Sequence, residues 1–317
     1  MTSPHKPLAV VTGGTGFVGR YILADLIRAG WNIRMLVRSE PLHPLVPNLN
    51  AEIVLGDLSD QSALERLCAG ADVVIHGAGL IKARSRDHFF SVNENGSANL
   101  ARAAAQVAPK APVLVVSSMA ARAPELSDYA ASKRAGEDAV TKNATGSVIV
   151  LRPSAVYGRW DRETFPLFQM ASKGRVFAPK APSSRICLIN ATDVSSAVVA
   201  MAKAGDHDAI YELTDDVRDG YTWGEIARAA GQSVGTSPSV IRIPPFILRA
   251  GGHISGISAR LIGKTPILTA GKVREMLHGD WSSSASAQPP PEIWRPQVTL
   301  KDGFSDTAKW YKSRHWL

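Results

Sequence analysis

Two cysteines, Cys68 and Cys187, are all that 317 residues contain. That is too few for a disulfide framework, and no C-x-x-C pair offers a structural zinc site, so a reducing cytoplasm and no metal are expected. Long apolar runs are missing as well. The run at 8–11 is too short for a secretion signal or a membrane span, and 242–263 is interrupted by Pro244, Pro245, Gly251, Gly252, His253 and Arg260. No membrane span is therefore expected, and a peripheral membrane contact through 242–263 is the lesser alternative. Lys and Arg number 36 against 28 Asp and Glu, a net +8, but they are scattered along the chain. Such a balance suits a small anionic ligand and not the clustered footprint of a nucleic-acid partner. With 45% hydrophobic and 20% charged residues the chain lies outside the disordered and fibrous classes. Its length allows one large domain or two modest ones.

What is present is an alternation. Short β-branched runs at 8–12, 33–37, 52–55, 72–76, 112–118 and 147–151 read as strands, and helical periodicity fills 17–29, 61–69, 89–107 and 128–142. Runs such as VLVVSS and SVIVL are apolar on both faces, as a parallel sheet covered by helices requires. The fold class expected is α/β, a Rossmann-type doubly wound parallel sheet with a smaller, partly interwoven C-terminal substrate domain. Residues 1–157, together with 187–214, are assigned to dinucleotide binding and 158–317 mainly to substrate. Helices are expected at 165–172, 193–203 and 222–230, and strands at 185–189 and 209–213. Residues 282–291 read as a low-complexity loop, and Trp310, Tyr311 and Trp316 as an aromatic cluster that packs on the core.

TGGTGFVG follows the first strand and opens a helix, spacing Gly13, Gly16 and Gly19 as G-x-x-G-x-x-G. Glycines are needed where the turn is tight, where backbone approaches a pyrophosphate and where helix packs on strand, and the helix start supplies free N–H groups for phosphate. Thr15, Phe17 and Val18 complete this cofactor loop. At the end of the second strand, where NAD-binding chains usually carry an acid, stands Arg38, whose guanidinium suits a 2′-phosphate, so NADP is favoured over NAD. Asp57, followed by Leu58, is placed either to accept from an adenine amino group or to cap the helix near residue 61. Gly77 and Ala78 are small enough for a cofactor to lie across the strand ends.

Tyr129 and Lys133 are four apart and share a helix face. A phenol titrates near 10 and needs a neighbouring cation to exchange a proton at neutral pH, which Lys133 can supply. Ser118, at the C-terminal end of the fifth strand, can hydrogen-bond a substrate oxygen or cap a turn.

TGGTGFVG, the aspartate of GDL, His76 after DVV, Val92-Asn93 before NGSANLARAA, the Ser118, Tyr129 and Lys133 set and LRPSAVYG at 151–158 together resemble the short-chain dehydrogenase/reductase superfamily. More narrowly they resemble its extended branch, the NAD-dependent epimerase/dehydratase family, over roughly the first 215 residues. The resemblance implies that Tyr129 is the general acid/base, that Lys133 lowers its pKa and holds the nicotinamide ribose, and that Ser118 polarises the reacting carbonyl. It also implies that Asn93 supports the site and that Pro153 and Val156 line the nicotinamide. Ala155 stands where many nucleotide-sugar epimerases of the family carry asparagine, and only ten residues separate Ser118 from Tyr129.

LRPSAVYG and the Val37-Arg38 pair resemble the carbonyl reductases and hydroxysteroid-dehydrogenase-like members more than the sugar enzymes. The function expected is an NAD(P)-dependent oxidoreductase moving a hydride between nicotinamide and a secondary alcohol or ketone, with an apolar small-molecule substrate. A nucleotide-sugar epimerase or dehydratase with tightly held NAD is the alternative, and a non-catalytic dinucleotide sensor or assembly subunit the second. The sequence admits a homodimer.

Overall fold

The protein is described from a computed structural model covering residues 6–39, 51–205, 207–261 and 268–317. The first half runs β1 (Leu8–Thr12), α1 (Phe17–Arg28), β2 (Asn32–Val37), β3 (Ala51–Leu55), α2 (Gln61–Cys68), β4 (Val73–His76), α3 (Arg86–Phe90), α4 (Gly96–Val107), β5 (Val113–Val116), α5 (Asp128–Asn143) and β6 (Val148–Pro153). The second runs β7 (Ala155–Tyr157), α6 (Phe165–Ser172), β8 (Arg175–Pro179), β9 (Arg185–Ile186), β10 (Leu188–Asn190), α7 (Ala191–Ala204) and β11 (Ala209–Leu213). It ends with α8 (Trp223–Val234), β12 (Ser239–Ile243), α9 (Pro245–Leu261), α10 (Ala270–Leu277), β13 (Asp280–Trp281) and α11 (Leu300–Ser313).

The main sheet has the order β11-β6-β5-β4-β1-β2-β3, and every described pair in it is parallel. The order in which strands are added reverses between β1 and β4, which opens a crevice at their C-terminal ends. One side of the sheet packs on α1 and α7 through Ile22, Leu23, Leu26, Val194 and Val198. The other packs on α2, α4 and α5 through Leu64, Leu67, Leu100 and Val140. Both faces are thus dry, which is why these strands are apolar at consecutive positions and not at alternate ones.

A third core, centred on Phe168, Tyr157, Phe304 and Tyr311, joins α6, α8 and α11. The expected aromatic cluster belongs to it: Tyr311 and Trp316 stack with centroids 5.5 Å apart, and Trp310 meets Trp316 edge-on at 5.1 Å.

Three elements differ from the sequence pattern. The helix expected over 89–107 is divided by a π-helical turn, Ser91–Asn95, which turns Asn93 inward. The strand expected over 112–118 ends at Val116, because Ser118 takes an extended conformation and caps a short 3₁₀ turn, Met119–Arg122. The strand expected over 185–189 splits, since Arg185–Ile186 pairs with β13 and Leu188–Asn190 with β7. Of the apolar stretch 242–263, residues 245–261 form α9, and 262–263 lie outside the described residues. Among the described residues no helix is long and apolar enough to cross a membrane, and no group of His, Cys, Asp or Glu is arranged to hold a metal.

Candidate active site

The glycine turn sits at the crevice. Gly13 has φ +75°, and a Cβ there would stand 2.5 Å from the backbone of Gly77 and Ala78. At Gly19 a Cβ would fall 2.1 Å from the Gly13 carbonyl oxygen, so α1 can pack on β1 only without a side chain. Gly16 is the N-cap of α1 and offers no side-chain oxygen, and no acidic residue stands in the first turn. The helix therefore starts with unsatisfied N–H groups and an uncompensated positive dipole end, where a phosphate fits. Thr15, Phe17 and Val18 wrap this helix start.

His76 closes the crevice floor. Its Nδ1 lies 2.7 Å from Thr12 Oγ1 and its Nε2 2.9 Å from Ser97 Oγ. Burial, with help from the Lys133 charge, pushes the imidazole down to about 3, so it is neutral and ties the ends of β1 and β4 to α4. Ser97 in turn donates to the Asn93 carbonyl at 2.6 Å.

Asn93 does not point at open space. Its Oδ1 accepts from the Leu80 N–H at 2.7 Å, and its Nδ2 donates to the Leu80 carbonyl at 3.0 Å and to Ser132 Oγ at 2.9 Å. It grips the loop after β4. That loop brings Gly79 beside Lys133, whose Nζ would lie 3.6 Å from a Cβ at Gly79.

Ser118, Tyr129 and Lys133 converge where β5 ends and α5 begins. Ser118 lies near enough to Tyr129 to influence its phenol, and it caps its own turn by accepting from the Ala120 N–H at 3.2 Å. Lys133 Nζ donates to the Val116 carbonyl at 3.0 Å. Burial pushes the Tyr129 phenol up to about 12, opposed by the nearby Ser118 hydroxyl and reinforced by the Glu275 charge. Lys133 is not among the groups that shift it, so the phenol stands above its ordinary value and not below it as expected from Lys133. Lys133 itself is pushed down to about 8 by burial, with the Glu137 charge opposing.

Two supports carry no local sequence signal strong enough to have been named. Glu137, one turn beyond Lys133, is buried and binds Arg152 through contacts of 3.0 and 2.5 Å while accepting from Ser117 Oγ at 2.5 Å. Its i, i+4 spacing from Lys133 was the available clue. Glu275, from α10, accepts from Ser127 Oγ, and Ser127 caps α5 by accepting from the Ala130 N–H at 2.9 Å. Nothing in the sequence near either residue announces that pairing.

At the adenosine end Arg38 is exposed just past β2. Asp57 does not cap α2: Asp60 does, accepting from the Ala63 N–H at 3.0 Å. Asp57 instead accepts from the Ser59 N–H at 2.7 Å and the Ser59 hydroxyl at 2.6 Å. Those bonds, and to a smaller degree the Arg38 charge, hold its carboxyl below the usual range. Leu58 packs beside Gly96 of α4. Pro153 ends β6, and Val156 lies on β7 opposite Ile189. Between them Ser154 has a buried hydroxyl with no protein partner, which leaves hydrogen-bonding capacity at the strand end.

Residues 9–213 match the NAD dependent epimerase/dehydratase family. A protein of Caulobacter vibrioides (strain NA1000 / CB15N) named ceramide reductase is 43% identical over 320 residues, spanning 100% of this chain and 98% of the relative. A Stigmatella aurantiaca protein named 4-hydroxy-2-methyl-3-oxo-4-farnesyl-3,4-dihydroquinoline-1-oxide ketoreductase is 29% identical, over 65% of this chain and 67% of its own. In fold the chain is similar to the UDP-glucose 4-epimerase of Thermotoga maritima, with TM-score 0.74 at 18% identity, covering 98% of this chain and 100% of that one.

Proposed function

The chain belongs to the NAD-dependent epimerase/dehydratase family, an enzyme family using nicotinamide cofactors, and we propose that within it this protein reduces the ketone of a long-chain, lipid-like substrate to a secondary alcohol. The observation that carries the reading is the Tyr129 phenol, held protonated up to about 12 beside the Ser118 hydroxyl at the end of β5. A phenol in that state is an acid waiting for a developing alkoxide. It is poorly suited to begin by removing a proton.

The reduced cofactor, when bound, supplies the hydride for the carbonyl carbon. Tyr129 gives its proton to the carbonyl oxygen, and the Ser118 hydroxyl donates a hydrogen bond to the same oxygen as negative charge gathers there. The phenolate left on Tyr129 takes its next proton from solvent, and the Lys133 ammonium stabilises it in the meantime. The neutral His76 and the grip of Asn93 on Leu80 keep the loop after β4 against the cofactor cradle. Gly13, Gly16, Gly19 and the start of α1 hold the pyrophosphate, Pro153 and Val156 line the nicotinamide, and Cys68 and Cys187 stay free in a reducing cytoplasm.

The apolar character of the substrate rests on two supports. Ile81, 58% exposed, stands two residues after Gly79 on the loop that meets Lys133. The names of the two reductase relatives, a ceramide enzyme and a farnesylated quinoline-oxide enzyme, both denote long apolar substrates. In a dihydronicotinamide absorbance assay we expect turnover with long-chain ketones and none with UDP-glucose; the reverse pattern sinks the reading.

We further propose that NADP is preferred, with Arg38 meeting the 2′-phosphate. A charge-assisted hydrogen bond at a partly exposed position contributes about 1.5–3 kcal/mol, which is roughly one to two orders of magnitude in affinity. Arg38→Ala should erase most of that preference by weakening NADP while NAD binding holds. A parallel loss for both cofactors, read by calorimetry, would mean that Arg38 stacks on the adenine instead.

A further inference from the structure

We propose that the face built from β8, β12 and the start of α9 is a docking surface for an anionic lipid bilayer. The sequence alone left a peripheral membrane contact through 242–263 as the lesser alternative. The tertiary structure assembles features that the linear chain keeps apart.

The first is an exposed apolar patch. In the parallel pair β8–β12, Phe177 is the register partner of Ile241, so the two stand side by side. Phe177 is 49% exposed and Ile241 37%, whereas Val176 and Ala178, on the opposite face of β8, are buried at 1%. Pro244 and Pro245 then turn the chain into α9, whose first turn exposes Phe246 at 69% and Ile247 at 50%. Half of the large hydrophobic residues exposed among the described residues thus come from one paired strand and one helix start. A grouping of that kind marks an interaction site and is unlike single exposed side chains.

The second is charge. From Ile226 to Arg274 the sequence contains seven Lys and Arg and no Asp or Glu, and from Thr164 to Thr192 it contains four Lys and Arg and again no acid. These two segments supply β8, β12 and α9. Together they hold eleven cations, leaving 25 basic against 28 acidic residues for everything else. The β8–β12 pairing thus joins two segments of the chain that carry an excess of basic residues, while the remainder is slightly negative. Arg175 and Arg249, both exposed, flank the apolar patch.

Exposed apolar side chains flanked by Arg175 and Arg249 match the layering of a bilayer surface, with acyl chains beneath anionic head groups. A second copy of this chain is a poor occupant, since the two faces would oppose cation to cation. The proposal rests on exposure and charge, and it stands whether or not the substrate is a ketone.

Flotation of the full chain with vesicles tests it. The protein should rise with phosphatidylcholine vesicles containing one-quarter phosphatidylglycerol, stay behind with phosphatidylcholine alone, and detach as salt is raised. The double variant Phe177→Ser, Phe246→Ser should lose about tenfold or more of that binding, the weight of one buried aromatic side chain, while its nicotinamide-cofactor affinity, measured in parallel, stays unchanged. Equal or absent binding to the two vesicle types overturns the proposal. So does a wild-type dimer that the double variant dissociates, because the face then covers a second copy.

Discussion

Tyr129→Phe is expected to lower ketone turnover by about 10²–10⁴-fold, the range for a positioned general acid, while cofactor affinity stays where it is. The substitution removes one hydroxyl and keeps the ring, so the tilted contact with Phe89 at 6.2 Å survives. On the proposed reading, what is lost is the proton that meets the developing alkoxide. Ser118→Ala should cost less, because that hydroxyl orients and polarises but moves no proton. Steady-state rates with cofactor binding measured alongside separate the two roles, and turnover in the Tyr129→Phe protein equal to that of the wild type removes Tyr129 from the reaction.

Glu137→Ala should be the most destabilising substitution near the site. Breaking a buried ion pair by removing one partner typically costs about 3–5 kcal/mol, because the remaining charge is left unpaired in a low dielectric. Here that charge is Arg152, whose side chain is 11% exposed against 3% for Glu137, and Ser117 loses its acceptor as well. A loss of that size is a large part of the 5–15 kcal/mol that usually separates folded from unfolded protein, and a fall in melting temperature on the order of 10 °C should accompany it. The paired replacement Glu137→Leu, Arg152→Met should recover most of the stability, since well-packed apolar residues often match a buried pair. A Glu137→Ala melting temperature within error of the wild type would show that the pair contributes nothing.

The milder Glu137→Gln has a catalytic signature. Lys133 sits near 8 because burial pulls its pKa down while the Glu137 charge holds it up. Without that charge the ammonium loses its proton at a lower pH, so the alkaline limb of kcat/KM should move toward neutrality. An unmoved limb would mean that Lys133 is not the group titrating there.

How much of this was legible in the chain follows from how local each cause is. The doubly wound sheet was legible because a strand buried on both faces must be apolar throughout, a requirement written into 8–12 and 112–116 themselves. The glycine turn was legible for the same reason: Gly13 and Gly19 answer to steric limits set within a few residues of one another and of β1. The pairing of Tyr129 with Lys133 needed only helical periodicity.

The features that the sequence left open have causes distant along the chain. Asp57 and Asp60 are equally good caps on paper, and only the backbone path chose Asp60. The expected continuous helix over 89–107 gave way to a π turn because Asn93 has to reach Leu80 and Ser132, one of them 39 residues away. The Ser127 cap of the tyrosine helix depends on Glu275, 148 positions on.

Sequence by itself determined the parallel sheet and the glycine turn and put Tyr129 and Lys133 on one helix face, because each follows from backbone sterics or short-range periodicity. Tertiary structure alone decided the surroundings that shift those side chains and which apolar residues gather on the surface. Desolvation raises Tyr129 and lowers Lys133 and His76 according to what the whole fold packs around them, and Phe177 and Ile241 become one exposed patch only when β8 finds β12.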